Sequence, residues 1–296
     1  MAAGGRRLTG EMRFLQVRMM QNWSPVIAID AEGTRIFVST RDNGIARQFI
    51  LHRAYEARLM ATAVDVLTHV DRHPFAEDAG MFLDIGANIG TGIVQAVSRY
   101  GANGGVAFEP DPDNIALLRH NLLANQLTEI VSVVPCALTA TDGDVVLERS
   151  ADMHGDHRVR TGAGPHPNTF GESQRPVVTV PGVTFDAKVI DGVIDLSQVR
   201  LVSMDTQGHE GHVLAGASQL CASAIPIILE YWPYGLRAAG GYELFLDLVR
   251  DSFHRYVHLD HPINAGGVVS HPITDIASLD EGLGDVGWAN LLLLSR

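Results

Sequence analysis

The stretch Phe82-Leu83-Asp84-Ile85-Gly86-Ala87-Asn88-Ile89-Gly90-Thr91-Gly92 decides the fold. An apolar run, Met81 to Ile85, meets glycines at 86 and 90 and passes into a helix-like segment that reaches Tyr100. That is the pattern of a strand turning sharply into a helix, with glycine where the backbone bends tightly or lies close to another group. Downstream the pattern repeats. Val106 to Glu109 reads as the next strand, Asp111 and Pro112 open a helix through Leu117, Leu118, Leu122 and Leu123, and Ile130 to Val134 reads as a third strand. Val199 to Met204 and Ile225 to Glu230 are apolar, strand-length runs separated by a helix from about Glu210. Tyr242 to Asp251 has a helical pattern, and Tyr256 to Leu259 with Trp288 to Leu293 make a closing pair of strands. Strands alternating with helices predict an α/β fold: a doubly wound, mostly parallel sheet with helices on both faces.

Upstream, Val26 to Asp30 and Arg35 to Ser39 read as strands joined at Glu32-Gly33. Ala54 to Val70 reads as a helix, with Leu59, Ala63, Val66, Leu67 and Val70 at helical spacing, and His73-Pro74 ends it. The organisation divides into a small N-terminal hairpin-and-helix addition, 1–78, and a main domain, 79–296. The first ten residues, with Gly4, Gly5, Arg6 and Arg7, read as a frayed start. Between Ser150 and Arg175 periodicity is lost in a stretch rich in Gly, Pro, His and Asp, which predicts a long loop, either a mobile cover over a site or a solvated insertion.

Composition narrows the class. With 46% hydrophobic and 19% charged residues over 296, the chain has the make-up of a folded globular protein rather than a disordered one. Its net charge of −12 gives no general attraction to nucleic acid or anionic lipid, and no Lys/Arg run exceeds Arg6-Arg7. Cys136 and Cys221 match no metal or redox spacing and read as reduced thiols in a cytoplasmic protein. Met1 to Met20 carries no apolar core of a secretory signal, and no stretch is long and apolar enough to span a bilayer. The expectation is a cytoplasmic protein acting on a small molecule, with neither nucleic acid nor membrane as partner; the N-terminal hairpin leaves pairing across a homodimer open.

In an open α/β sheet ligands bind outside the carboxyl ends of the strands, which places the 86–90 turn at the ligand crevice. The dinucleotide fingerprint wants Gly-x-Gly-x-x-Gly, whereas here Ala87 and Asn88 separate Gly86 from the next residues before Gly90. Asp84 at the strand end would repel a pyrophosphate and favour a cationic ligand such as S-adenosylmethionine (SAM). Glu109, at the end of the second strand, is placed to accept hydrogen bonds from ribose hydroxyls. Asp84, the Gly-x-x-x-Gly turn and Glu109 together favour SAM over NAD.

Phe82 to Gly92 and Phe108-Glu109-Pro110 resemble the first two motifs of class I methyltransferases, whose fold is Rossmann-like. Leu201 to Ala217, with Asp205-Thr206-Gln207-Gly208-His209-Glu210 at its centre, resembles the signature of the FkbM-type methyltransferases, commonly Lys-Ile-Asp-Val-Glu-Gly-x-Glu followed by a helix and Gly-Ala. Asp42 to Glu56 is similar to that family's lead-in, which ends in a Tyr-Glu pair. The resemblance covers roughly residues 40 to 294. Two departures stand out: Gln207 for the commoner glutamate and Ser203 for the common lysine. The resemblance implies SAM-dependent methyl transfer, most often to a hydroxyl of a sugar, glycolipid or natural-product intermediate. It also implies a cofactor site of Glu56, Asp84, Gly86, Ala87, Asn88 and Gly90, with Glu109 on the ribose, Cys136 and Ala137 near the adenine, and Asp205 beside the methyl group.

Methyl transfer to a hydroxyl needs alignment and a proton acceptor. Asp205, His209 and Glu210 are the catalytic candidates; alternatively Asp205 only positions, and His209 or Glu210 serves the following helix. N-methylation of an amino sugar or peptide, which asks less of a base, and a SAM-binding subunit without turnover remain alternatives. His209-Glu210-Gly211-His212 is one residue short of the zinc motif His-Glu-x-x-His, so no metal site is assigned. A divalent cation held by Asp205 and Glu230 is conceivable but not expected. His154, Asp156, His157 and His166 read as a solvated loop, and Tyr231, Trp232 and Tyr234 as core packing plus one wall of the substrate pocket.

Overall fold

A computed structural model describes residues 12, 14–19, 21–55, 57–71, 73–76, 80–162, 168–264 and 267–295. The first ten residues, Glu56 and His166 lie outside the described residues. After helical residues at 14–19, β1 (Val26–Ala31) and β2 (Thr34–Ser39) form an antiparallel hairpin. Glu32 and Gly33 both take positive φ, as a two-residue type I′ turn requires. The hairpin docks on the helix Pro112–Ala124: the Asn121 side chain accepts from Phe37 N at 2.6 Å and donates to Ile89 O at 2.7 Å. It therefore ties the hairpin to the glycine turn.

Two helices follow, Ile45–His52 and Ala57–Val70. The first falls within the lead-in segment and was not foreseen. Its start is held by Asp42, whose carboxylate accepts from Gly44 N and Ala46 N, an N-terminal capping arrangement.

The central sheet contains β3 (Met81–Ile85), β4 (Gly104–Phe108), β5 (Val131–Val134), β10 (Val199–Met204), β11 (Ile227–Tyr231), β12 (Arg255–His258), β15 (Ser270–Pro272) and β16 (Ala289–Leu294). A short hairpin, β13 (Ile263–Asn264) with β14 (Gly267–Val268), precedes β15. The sheet order is β15-β12-β16-β11-β10-β3-β4-β5, parallel from β11 to β5. β16 runs antiparallel to both β11 and β12, and β15 antiparallel to β12. The predicted α/β fold, with a mostly parallel sheet and a closing antiparallel pair, is thus present. Successive strand residues alternate between two apolar clusters: Phe82, Ala107, Leu201 and Ile228 face one, and Leu83, Val106, Val202 and Leu229 the other. Helices cover both faces, which is why these strands read as unbroken apolar runs. Strand order reverses at β3, flanked by β10 and β4, so this is where a crevice opens.

One feature departs from expectation. A second sheet, ordered β6-β9-β7-β8, is made of β6 (Ala137–Leu138), β7 (Gly143–Glu148), β8 (Arg158–Arg160) and β9 (Val177–Val183). The stretch 150–175 is therefore not one long loop, since it supplies β8 and a 3-10 turn at Glu172–Gln174. Ion pairs hold it in place of an apolar stripe. Arg158 contacts Asp156 at 2.6 Å and Glu172 at 2.9 Å, and Arg175 also contacts Asp156. Among the described residues no helix is long and apolar enough to cross a membrane.

Candidate active site

A narrow cleft, with a cavity volume of about 50 Å³, opens at the carboxyl ends of β3, β4 and β10. Gly86 and Asn88 come from the turn after β3, Phe108 and Glu109 from the end of β4, and Cys136 and Ala137 from just past β5. Asp205, Gln207 and His209 come from the loop after β10. The strand ends are laced together: Asp205 N donates to Ile85 O at 3.0 Å, and Gly86 N and Ala87 N both donate to Phe108 O. Gly86 has φ +84°, and a Cβ there would stand 1.9 Å from the Asp205 carbonyl oxygen, so glycine alone permits this approach.

Glu109 is buried, and each of its oxygens holds one backbone N–H: Oε2 that of Asn88 and Oε1 that of Asp111, both at 2.8 Å. Burial pushes its carboxyl up to about 7, against the pull of those hydrogen bonds. Each oxygen keeps a lone pair for a ligand hydroxyl. Asn114 Oδ1 and His209 Nδ1 are buried atoms of cleft residues with no hydrogen-bond partner among the described residues. Such orphaned polar atoms are rare in folded proteins and point to a missing ligand. An apolar slot, hydroxyl acceptors at Glu109 and unpaired polar atoms fit a nucleoside-bearing cofactor such as SAM.

The methyltransferase FkbM domain profile matches residues 84–248, more than half of the chain. The chain belongs to the FkbM methyltransferase family. It is a SAM-dependent methyltransferase with a Rossmann-like fold. Among solved structures it is similar to methyltransferase FkbM from Methylobacillus flagellatus, at 15% identity and a TM-score of 0.43, with 83% of this chain and 52% of that one covered. This methyltransferase thus spans about half the length of that protein. It is also similar to precorrin-6y C5,15-methyltransferase from Geobacter metallireducens, at 12% identity and a TM-score of 0.40, with 81% of this chain and 87% of that one covered. No curated protein matches it.

In this FkbM methyltransferase the residues singled out from sequence separate into two groups. Gly86, Asn88, Glu109, Cys136, Ala137, Asp205 and His209 line the cleft, whereas Asp84, Ala87, Gly90 and Glu210 stand behind it; Glu56 lies outside the described residues. Asp84 does not face a ligand directly. It is buried, its Oδ2 accepts from Ile93 N at 2.9 Å in the first turn of the helix Thr91–Tyr100, and burial pushes it up to about 7. Glu210 is also fully buried. Its Oε1 accepts from Thr206 N at 2.8 Å, Thr206 Oγ1 at 3.0 Å and Gly208 N at 3.3 Å, and burial pushes it up to about 7. These bonds shape the loop that presents Asp205.

Asp205 Oδ1 accepts from Gln207 Nε2 at 2.7 Å, and the same nitrogen lies 2.9 Å from Glu230 Oε2. Burial raises the Asp205 carboxyl above the ordinary range. His209 is buried with Nε2 3.2 Å from Thr139 Oγ1, and burial, helped by the stacked His212, pushes it down to about 3.

Asn114 and Thr206 were not among the candidates, while the stretch holding His154 and His157 was expected as either a cover over a site or a solvated insertion. Asn114 and Thr206 line the cleft, as does the segment His154–His157, lying across the turn after β3. The His154 carbonyl accepts from Asn88 Nδ2 at 2.9 Å and Asn114 Nδ2 at 3.3 Å, while His154 N donates to Asp42 Oδ1. Among the described residues no group of three or more His, Cys, Asp or Glu could hold a metal ion. Tyr231, Trp232 and Tyr234 do not line the cleft. Tyr231 is buried, with its hydroxyl 2.6 Å from Asp280. Trp232 and Phe170 flank the Arg158 guanidinium, and Tyr234 packs against both rings.

Proposed function

We propose that this methyltransferase places the methyl group of SAM on a hydroxyl oxygen of a small organic acceptor, with Asp205 taking the hydroxyl proton. SAM, when bound, supplies a methyl group on a positively charged sulfur that leaves readily. The chain holds the reacting parts in line and receives a proton. Toward the cofactor, Glu109 would accept from the ribose hydroxyls, Gly86 and Asn88 would border the methionine end, and Phe108, Cys136 and Ala137 would pack on the adenine. Asp84 supports this from behind by anchoring the helix that follows the turn.

The contrast between Asp205 and His209 carries the choice of base. Both line the cleft. Burial makes Asp205 a stronger base than an ordinary carboxylate, whereas His209, pushed down to about 3, is a much weaker base than an ordinary imidazole. A wider groove of about 800 Å³ shares His154 and His157 with the cleft and runs past Phe37, Leu117 and Arg41. Its mixed apolar and polar walls support a small organic acceptor.

The test is transfer of radiolabelled methyl from SAM to panels of hydroxylated and amine acceptors. Label on a hydroxyl oxygen is expected, with turnover falling about 10²-fold or more in Asp205→Asn. Label confined to amines, or undiminished turnover in that variant, would sink the O-transfer reading.

A further inference from the structure

Gln207 stands between two carboxylates. Its Nε2 is 2.7 Å from Asp205 Oδ1 and 2.9 Å from Glu230 Oε2, so one N–H goes to each. Its backbone has φ +55°, in the left-handed region that a residue without glycine's freedom enters at a cost. The two carboxylates sit on neighbouring parallel strands, Glu230 within β11 and Asp205 just past β10. Asp205 and Gln207 line the cleft.

Two adjacent carboxylates ordinarily share one proton, because both charges cannot be tolerated at once. An amide with two N–H donors, one aimed at each, eases that conflict: the Gln207 bond pulls Asp205 back toward its ionised form against the rise that burial causes. No lysine or arginine forms an ion pair with Asp205 among the described residues. Its other ionisable neighbours are acidic: Asp84 on β3 and Glu210 on the following helix, both pushed up to about 7 by burial, with Asp156 on the segment across the cleft and Glu230 on β11. Asp156 is matched by Arg158 and Arg175, and His209 contributes no charge near neutrality. The end of β10 is therefore a negative spot facing the cleft.

We propose that the Asp205–Glu230 pair, held by Gln207, makes the cleft favour the cationic sulfonium of SAM over the neutral thioether of S-adenosylhomocysteine (SAH), so that turnover weakens the hold on the product. This rests on the cofactor reading above. SAM and SAH differ by one methyl group and one charge, so contacts to adenine, ribose and the amino acid moiety cancel in the comparison. When the acceptor oxygen takes the methyl carbon, the carbon–sulfur bond breaks with its electron pair left on sulfur, and the hydroxyl proton passes to Asp205. Both halves of the attraction vanish in one step: sulfur becomes neutral and the pair loses one negative charge. A glutamate at 207, the commoner residue in the family form, has at most one O–H to offer two carboxylates, so it would raise the pH at which the cluster takes up protons.

The experiment is calorimetric titration of the full chain with SAM and with SAH from about pH 8 to about pH 5.5, a range reaching toward ordinary carboxylate titration. SAM is expected to bind about tenfold more tightly than SAH at the upper end, with the ratio approaching about one as the pair takes up a proton. Glu230→Gln, isosteric and checked by thermal melting, should lower the ratio about fivefold while leaving SAH affinity unchanged. Gln207→Glu should move the fall in the ratio to higher pH. The wild-type pH series tests the same point without any variant. Binding of both compounds with a ratio indifferent to pH and to Glu230→Gln would overturn the charge discrimination and leave the cofactor site standing. Binding of neither would overturn the cofactor reading itself and the discrimination with it.

Discussion

Asn88 and His154, 66 residues apart, are joined by a hydrogen bond of 2.9 Å from the Asn88 side-chain amide to the His154 carbonyl. The bond fastens the segment across the cleft to the turn that follows β3. Asn88 has φ +50°, so an alanine there would add backbone strain to the loss of the bond. Asn88→Gly removes the side chain without that strain. It should free the segment at about 1 kcal/mol, the usual net worth of one hydrogen bond. Hydrogen exchange of residues 150–157 should speed up, and SAM affinity should fall several-fold. Unchanged exchange there would show that Asp42 and Asn114 hold the segment without Asn88.

The Glu210 carboxyl sets a pH dependence of stability. Burial pushes it from the ordinary glutamate range up to about 7 in the folded protein. A raised acid binds its proton more tightly folded than unfolded, so its stabilising share is complete below about pH 4 and is lost as pH climbs through about 7. Each pH unit between the two titration points corresponds to about 1.4 kcal/mol, so the loss approaches about 3 kcal/mol by pH 8. Glu210→Gln keeps an oxygen to accept from Thr206 and Gly208 and carries no charge. Its melting temperature should therefore gain on the wild type as pH rises from about 5 to about 8. A constant difference across that range would show that Glu210 titrates normally.

How far the fold and site could be read from sequence depended on the kind of force that shapes each part. The strands from β3 to β11 are buried on both faces, so Phe82, Leu83, Val202 and Leu229 announce them as apolar runs. β7 and β9 are half exposed, with Val145, Val146 and Val177 alternating poorly, and nothing local marks them. β8 is held by Arg158, Glu172 and Asp156, a pairing that exists only once the chain has folded. In the site, the glycine turn and Glu109 were legible because their spacing is a local property. That Asp84 turns inward to Ile93 N, and that Gln207 reaches across to β11, are facts of tertiary direction with no sequence signal. His209 suggested a base by residue type, yet burial removes the proton affinity that made the suggestion attractive.

His209 therefore gives a discriminating variant. His209→Gln retains a polar partner for Thr139 and removes the imidazole. Because the imidazole stays neutral between about pH 5 and 9, the shape of the pH–rate profile should be unchanged, with a rate loss of no more than about tenfold. Disappearance of the acidic limb in this variant, measured with whichever acceptor the labelling screen yields, would reassign the base from Asp205 to His209.

The buried Arg158 is the strongest stability prediction. Its guanidinium carbon lies 4.5 Å from the Trp232 ring centroid and 5.1 Å from that of Phe170, and its nitrogens meet Asp156 and Glu172. The Arg158 and Glu172 side chains are only 8% and 6% exposed, so water cannot replace a lost partner. Arg158→Leu leaves the buried Glu172 without its cation, while Asp156 keeps Arg175, and should cost about 3 kcal/mol. Arg158→Lys keeps the charge but not the planar fork that pairs with both acids while stacking on Trp232, and should cost about 1–2 kcal/mol. Because β8 leads directly out of His157, the loss should also reach the cleft, and SAM affinity should fall further in Arg158→Leu than in Arg158→Lys. Denaturant melts of the two variants, with SAM titrations alongside, check both parts. Equal stability of Arg158→Leu and the wild type would mean that Phe170 and Trp232 hold β8 by apolar packing and that the ion pairs add nothing.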